Sequence, residues 1–96
     1  GNTKISLSDI FYFESDGNYI RVYTKQGEYR FRETMTSVQN TLENKGFIRI
    51  HKGFLVNQEA VKVLGREEAT LVDNTKIPIG RSYADTAKKM LMRYII

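Results

Sequence analysis

The side chains of this chain that could carry out chemistry are mostly basic, with hardly any nucleophile or metal ligand among them. The sequence contains one His and no Cys. His51 stands beside Lys52, and no nucleophile or carboxylate lies at a spacing that would complete a catalytic triad. A zinc site needs more nitrogen or sulfur ligands than the chain offers, and no phosphate-binding or dinucleotide-binding glycine motif is present. These features predict a protein that is not an enzyme and holds no metal or cofactor.

Lys52 is predicted to project from a corner between two strands. The stretch Phe47–Asn57 begins with alternating apolar and polar residues, and unbroken alternation would place Lys52 on the apolar face. A lone Lys is costly to bury. A break at His51-Lys52-Gly53 avoids this cost, because Gly53 gives the backbone the freedom to turn.

Arg81 occupies a second basic corner, between Gly80 and Ser82. Ser82 is predicted to be the N-cap of the last helix, with Asp85 three residues later as in a capping box. Flanked by a glycine and a cap, Arg81 has little to pack against, so its side chain is expected to face solvent.

The basic charge is concentrated in one segment. The whole chain has a formal charge of +4 and a pI near 9.4. Residues 45–66 carry an equal excess, because a single acidic residue, Glu59, accompanies Lys45, Arg49, Lys52, Lys62 and Arg66. A basic stripe favours an anionic partner such as nucleic acid. A solvated basic surface without a partner is the alternative on charge alone.

These corners must be positioned by a mainly β fold with two short helices. Alternating or β-branched runs separated by turn residues give nine candidate segments and predict about seven or eight short strands. An apolar stripe at helical spacing after Thr34, a plausible N-cap, predicts a helix that ends at Lys45-Gly46. Besides the two strands of Phe47–Asn57, the predicted strands are Lys4–Leu7, Ile10–Phe13, Tyr19–Thr24, Glu28–Glu33, Ala60–Leu64, Ala69–Val72 and Thr75–Ile79, with Pro78 marking an edge.

Two adjacent strands place aromatic and basic residues on one face, namely Tyr19, Arg21, Tyr23, Arg30 and Arg32. Such a face is either a stacking platform for bases or a solvent face with cross-strand pairs such as Arg with Glu28. The first interpretation makes the chain a single-stranded nucleic-acid or RNA-binding β module. A protein-interaction domain that binds no nucleic acid is a further alternative.

The length of 96 residues predicts one domain over residues 1–96, with Gly1-Asn2 interpreted as a cloning remnant. No run approaches the roughly 18 apolar residues of a membrane span. The absence of Cys favours the reducing cytoplasm, because secreted domains of this size usually depend on disulfides.

Three blocks of the sequence resemble the LytTR DNA-binding domain family in order and spacing. They are Asp9–Tyr19, Phe47–Asn57 and Ile77–Tyr83, and the likeness extends from about Ile5 to Ile95. The resemblance implies antiparallel sheets in a sandwich-like LytTR fold with short helices. It also implies loops, rather than a recognition helix, that enter the major groove of double-stranded DNA.

The resemblance further implies the biological setting. Members of this family are usually the output domains of bacterial response regulators in two-component systems. They regulate transcription by binding imperfect direct repeats, often as a dimer. An N-terminal receiver or other regulatory domain and a homodimer on DNA are therefore expected.

Site residues carry over from the matched blocks. Lys52 follows the matched His and corresponds to a base-contacting position, and Arg81 matches the Arg of the third loop. Lys52-Gly53 replaces the more usual Arg-Ser, and Lys contacts guanine less directionally than Arg. The predicted DNA-binding residues are Asn18, Tyr19, Arg49, His51, Lys52, Arg81 and Ser82, and the candidate phosphate contacts are Arg21, Lys62 and Arg66. A structural His51 is the alternative to a DNA-facing or loop-orienting one.

Overall fold

The computed structural model describes residues 2–91 and shows two antiparallel sheets with two short helices. This part of the chain contains eight strands. In chain order the elements are β1 (Ile10–Asp16), β2 (Tyr19–Thr24), β3 (Gly27–Arg32), α1 (Met35–Leu42), β4 (Phe47–His51), β5 (Phe54–Asn57), β6 (Val61–Leu64), β7 (Glu68–Leu71), β8 (Lys76–Pro78) and α2 (Ala84–Leu91).

The larger sheet has the strand order β3-β2-β1-β5-β4, with antiparallel neighbours throughout. Since β1 and β4 are both antiparallel to β5, they run in the same direction and finish at the same end of the sheet. Each continues into a two-residue turn, Gly17-Asn18 after β1 and Lys52-Gly53 after β4. The smaller sheet has the order β6-β7-β8.

Strands β4 and β5 are buried on both faces, which places them at the centre of the fold. One face packs Ile48, Ile50 and Val56 against the smaller sheet and α2. The other face packs Phe47 and Leu55 with β1, β2 and α1. Full burial of each such side chain is worth about 1.5–3 kcal/mol relative to exposure, so this central pair is held firmly in place.

The first helix begins as predicted, but it ends at Leu42, and a 3₁₀ turn continues it to the predicted end at Lys45. The Thr34 side chain accepts a hydrogen bond from the Ser37 amide at 3.1 Å. The apolar stripe after Thr34 consists of Met35, Val38 and Leu42, and all three side chains are buried, which confirms the prediction of a helix there. After one 3₁₀ turn the chain reverses at Gly46, whose φ of 87° confirms the predicted left-handed position.

The start of the second helix was predicted wrongly. Ser82 is exposed and is not the N-cap, because a 3₁₀ turn over Arg81–Tyr83 precedes α2 and no side chain caps it. The Gly80 amide donates to the Ile50 carbonyl at 2.8 Å, and the Tyr83 amide donates to the Gly80 carbonyl at 2.9 Å. These backbone bonds start the turn at Gly80, two residues before the predicted cap. The apolar spacing of this segment also predicts Tyr94 on the packed face of the helix, and Tyr94 lies outside the described residues.

Several strand predictions also need correction. Lys4–Leu7 is not a strand, because residues 4–6 pair with no strand and a 3₁₀ turn begins at Leu7. Ile5 packs against the core as a single side chain instead. Ala60 belongs to a 3₁₀ turn that precedes β6. The predicted strand Tyr19–Thr24 is confirmed with its bounds, whereas β1, β3, β7 and β8 each differ from their predicted bounds by a residue or more. The prediction that Pro78 lies on an edge strand is confirmed by its place in β8.

Candidate nucleic-acid interface

Three corners from distant parts of the chain meet at one end of the molecule, which we call the corner end. They are the β1–β2 turn at Gly17-Asn18, the β4–β5 turn at Lys52-Gly53, and the segment 80–82 that leads into α2. The parallel course of β1 and β4 brings the first two together. The third arrives because the chain leaving β8 bonds to β4, where the Gly80 amide reaches the Ile50 carbonyl.

Backbone hydrogen bonds lock the corners together. The Ser15 amide donates to the Gly53 carbonyl at 2.9 Å, joining the first corner to the second. The Gly80 amide donates to the Ile50 carbonyl at 2.8 Å, joining the third to the second. A Cβ at Gly80 would lie 3.2 Å from Cδ2 of Tyr83 and 3.4 Å from the His51 Cα, so a side chain there would press on the Tyr83 ring and touch the second corner. Their relative positions are therefore set by backbone contacts.

His51 orients the second corner from within. Its Nδ1 accepts a hydrogen bond from the Gly53 amide at 3.0 Å, which places the proton of the neutral ring on Nε2. The ring packs edge-on against Phe54, with 5.3 Å between centroids. Lys52, between His51 and Gly53, is exposed, as predicted. The loop-orienting role of His51 is visible in these contacts, whereas a contact with DNA stays a prediction.

Arg49 braces the same corner from the side. Its guanidinium donates to the Lys52 carbonyl through Nη2 and to Gln39 Oε1 of α1 at 3.1 Å through Nη1. Its Nε donates to the His51 carbonyl at 3.4 Å, and its Cζ lies 5.7 Å from the centroid of the Tyr83 ring. The donors of Arg49 thus hold the turn and α1 together, and its guanidinium lies beside the Tyr83 ring next to the third corner. Strand alternation could not predict this role.

The first corner presents Asn18, which is exposed, beside Gly17 with a φ of 62°. Tyr19 follows as a half-buried residue, and the Arg30 guanidinium lies 4.0 Å from the centroid of its ring. Asn18 therefore offers its amide to a partner at the corner end, while one side of the Tyr19 ring is already covered.

The third corner exposes both Arg81 and Ser82. A fourth turn, between β6 and β7, joins it there, because the Ile79 amide donates to the Glu67 carbonyl at 2.8 Å. This turn carries Arg66, which is also exposed. The structure therefore brings Arg66 to the corner end beside the third corner.

Two of the predicted phosphate contacts, Lys62 and Arg21, are not brought to the corner end as free charges. Lys62 lies near the β7–β8 turn, away from the corner end, where its Nζ donates to Asn74 Oδ1 at 2.7 Å. Arg21 forms ion pairs with Asp16 at 2.7 Å and Glu28 at 3.4 Å. Hydrogen bonds with Asp16 and then Glu28 raise the pKa of the Arg21 guanidinium.

The class of this domain follows from a family model. The model described as the LytTr DNA-binding domain matches residues 1–92. The chain belongs to the LytTR family. A solved LytTr DNA-binding domain from Bacillus cereus shares its fold, with a TM-score of 0.81 at 21% identity over 91% of this chain and 84% of the other. The prediction of a mainly β LytTR fold with two short helices is confirmed.

Longer proteins contain similar domains. The sensory transduction protein LytT of Bacillus subtilis is 29% identical over 92 residues, which make up 91% of this chain and 38% of that protein. The heme-containing CO-sensing transcriptional regulator RcoM 1 of Paraburkholderia xenovorans is 25% identical over 93 residues, or 91% of this chain and 35% of that protein. The LytTR domain thus spans little more than a third of these relatives.

The aromatic and basic face of this LytTR domain is not an open stacking platform. Tyr19 lies under Arg30, and the Tyr23 ring stacks on Tyr12 with centroids 4.4 Å apart. The predicted cross-strand pair of Arg with Glu28 is confirmed for Arg21. Bases would have to displace these stacks, which disfavours the single-strand interpretation.

Other classes of site find no support in the described part of the LytTR domain. Within residues 2–91, no group of three His, Asp or Glu side chains is placed to hold a metal ion. In the same range, neither helix has the length and apolar character needed to cross a membrane.

Sequence reasoning missed the position of Arg32 at the corner end. Arg32 pairs with Tyr19 across β2 and β3, directly beside the first corner. Two short turns fix this register, since Asp16 pairs with Tyr19 and Thr24 pairs with Gly27. The length of the two turns was the signal that could have located Arg32.

Proposed function

We propose that this LytTR domain binds double-stranded DNA in a sequence-specific manner, with its three corners entering the major groove. The observation that supports this proposal most directly is the convergence of the corners at one end, with Lys52 and Arg81 exposed there. A rigid cluster of loops can present several side chains to base edges at once. Recognition of this kind does not need a helix in the groove.

The roles we assign follow from side-chain chemistry. The Arg81 guanidinium suits bidentate hydrogen bonds to guanine O6 and N7, and the Asn18 amide suits the edge of adenine. Lys52 donates to a guanine acceptor or to a phosphate, and its flexible ammonium makes either contact less directional. Ser82 and Arg66 contact phosphates, which set the register of the protein on the duplex.

The setting that we propose is the output domain of a bacterial transcriptional response regulator. The length of the relatives, of which the matched region is 38% in LytT, supports an attached receiver or other regulatory domain. Two such domains bound as a homodimer to direct repeats would double the number of base contacts. The proposed activity would take place in the cytoplasm, where the bacterial chromosome lies.

The test begins with a duplex site selected from a random pool and a scrambled control duplex. At fixed salt, Arg81→Ala is expected to lower the affinity for the selected site by about 5- to 150-fold, equivalent to roughly 1–3 kcal/mol per bidentate base contact. Binding to the scrambled duplex should fall far less. Fluorescence anisotropy measures both.

Lys25→Ala is the matched control, because it also removes one exposed cation but from the β2–β3 turn at the opposite end. It should leave the preference for the selected site intact. Equal affinity of the native domain for both duplexes, or equal losses for both with Arg81→Ala, would rule out base recognition by Arg81.

A further inference from the structure

One face of the larger sheet is only half covered. The smaller sheet and α2 pack over β4 and β5, whereas the same face of β2 and β3 is left to solvent. We call this second part the open face, and it consists of Tyr19, Arg21, Tyr23, Glu28, Arg30 and Arg32. It adjoins the corner end, because Tyr19 directly follows Asn18.

Arg30 and Arg32 flank Tyr19 on the open face. The Arg30 guanidinium lies 4.0 Å from the centroid of the Tyr19 ring and the Arg32 guanidinium lies 6.0 Å from it. Stacking on an aromatic ring restricts a guanidinium while leaving its in-plane N–H groups pointing outward. Arg30 is therefore held in one orientation with its donors available to a ligand.

The acidic groups of this region are occupied by other partners. Arg21 takes both Asp16 and Glu28, at 2.7 and 3.4 Å. The Glu33 carboxylate accepts a hydrogen bond from the Thr34 amide at 3.0 Å. Within residues 2–91, no carboxylate lies within ion-pair distance of Arg30 or Arg32.

The register of β2 and β3 also places two arginines opposite each other. Arg30 lies directly opposite Arg21 in the register of β2 and β3, and like charges in that position destabilise a sheet. The two carboxylates on Arg21 and the ring under Arg30 reduce this repulsion. Arg30 therefore contributes little to the stability of the fold. An anionic ligand, in contrast, could bind two exposed guanidinium groups, those of Arg30 and Arg32.

We propose that Arg30 and Arg32 form a second contact with the duplex, binding backbone phosphates beside the segment that the corners read. The inference rests on the proposed function, since it places the corners in the groove. Planar guanidinium groups match phosphate oxygens in a bidentate manner. A phosphate contact carries no sequence information, so this contact extends the footprint without changing the preferred site.

The experiment compares the native domain with the Arg30→Gln, Arg32→Gln double variant. Affinity is measured over a series of salt concentrations on the selected site, in a short duplex and in duplexes with added flanking base pairs. Each lost phosphate contact reduces the slope of log K against log salt by about 0.9, so the double variant should lose about 1.8. The native domain should also gain affinity from the added base pairs, and the variant should not.

A Lys25→Gln, Lys45→Gln double variant is the control, because it removes the same charge from exposed positions at the opposite end. Its slope should stay close to that of the native domain. An equal reduction in the control would overturn the inference, because net charge alone would then explain the effect. Unchanged melting temperatures show that each variant is folded.

The outcomes separate this inference from the proposed function. A native domain with no preference for the selected site would contradict the proposed function. A native domain that prefers the site, with an unchanged slope in the Arg30, Arg32 double variant, would contradict the second contact alone. If the Arg30, Arg32 double variant loses binding to a single-stranded oligonucleotide while its duplex binding is unchanged, the second contact with the duplex is overturned. A single-stranded ligand would then be favoured.

Discussion

The two halves of the larger sheet differ in what covers them. In the half formed by β4 and β5, both faces are packed, and Ile50 and Leu55 have no exposed surface. In the half formed by β2 and β3, one face packs against the core and the other is the open face, which carries exposed arginines. The second corner projects from the covered half, and the first corner belongs to the open half.

This difference assigns distinct tasks to the two halves. A strand pair packed on both faces cannot shift without opening the core, so the Lys52 corner is suited to contacts that require a defined position. An open face can present charge without disturbing the packing, which suits contacts that require attraction rather than exact register. Substitutions of Leu55, Arg49 and Tyr23 test this division, with expected effects on stability that decrease in that order.

The largest effect is expected from truncation in the covered half. Leu55→Ala removes a side chain with 0% exposure that packs against β1, β2 and α1. Truncation of a buried Leu costs about 2–5 kcal/mol of unfolding free energy, because transfer energy is lost and a cavity remains. Urea denaturation followed by circular dichroism measures the change.

Phe31→Ala is the matched truncation in β3, where the side chain is 39% exposed. Its loss should be well below that of Leu55→Ala, because less apolar surface returns to water. Comparable losses for the two variants would mean that the halves are equally well packed, and the comparison would fail.

A smaller effect on stability, but a specific effect on DNA binding, is expected from Arg49. Arg49→Gln removes the donors to the Lys52 carbonyl and to Gln39, at a cost of about 1 kcal/mol in unfolding free energy. Because the second corner then loosens, preference for the selected site over the scrambled duplex should fall. The salt slope should stay close to that of the native domain.

Arg49→Lys distinguishes a brace from a phosphate contact. It keeps the charge but loses the planar fork, so a bracing role predicts reduced site preference in this variant too. If Arg49 instead binds a phosphate, Arg49→Lys should retain most of the site preference, and the slope of Arg49→Gln should drop by about 0.9. Affinity measured over a salt series decides between them.

The smallest effect on stability is expected from removal of the Tyr23 hydroxyl, at the seam between the halves. The Tyr23 ring stacks on Tyr12, and its hydroxyl donates a hydrogen bond to Glu14 at 2.8 Å. Burial and this hydrogen bond raise the pKa of Tyr23. A raised folded-state pKa stabilises the fold below the ordinary Tyr value of about 10, and this contribution is lost as pH rises above it.

The stability of the native domain should therefore decline above pH 10 more steeply than that of Tyr23→Phe, which has no hydroxyl to titrate. The measurement is the melting temperature of both proteins as a function of pH, from about 8 to 11, a range around the ordinary Tyr pKa of about 10. Tyr29→Phe controls for removal of a phenol hydroxyl elsewhere in the sheet. Parallel profiles for the native domain and Tyr23→Phe would show that the seam hydroxyl has no such linkage.

Much of the local structure was predictable, because alternation and turn residues act over short distances. The turn at Lys52-Gly53, the Thr34 cap and the reversal at Gly46 were all predicted from neighbouring residues and are present. The failures involve partners that are distant in sequence. Lys4–Leu7 looks like a strand but pairs with none, and Ile5 packs on the core instead. Ser82 looks like a cap but lies within a turn that starts at Gly80, where the chain bonds to Ile50.

The candidate site divides in the same way. Exposure of Lys52 and Arg81 was predictable, because their own neighbours leave them nothing to pack against. An Arg pair with Glu28 was predictable too, but the second carboxylate on Arg21 and the contact of Arg49 with Gln39 were not, because Asp16 lies on β1 and Gln39 lies on α1. A guanidinium looks the same in a sequence whether its hydrogen bonds are satisfied within the fold or are left for a ligand.

The sequence by itself determined the class of fold and the outward direction of the two basic corners, since both follow from periodicity and from the cost of burying charge. Only the tertiary structure decided that the corners share one end. That outcome depends on β1 and β4 running in the same direction and on the bond from Gly80 to Ile50. It also decided which arginines remain free, because that depends on pairings across strands that no local pattern encodes.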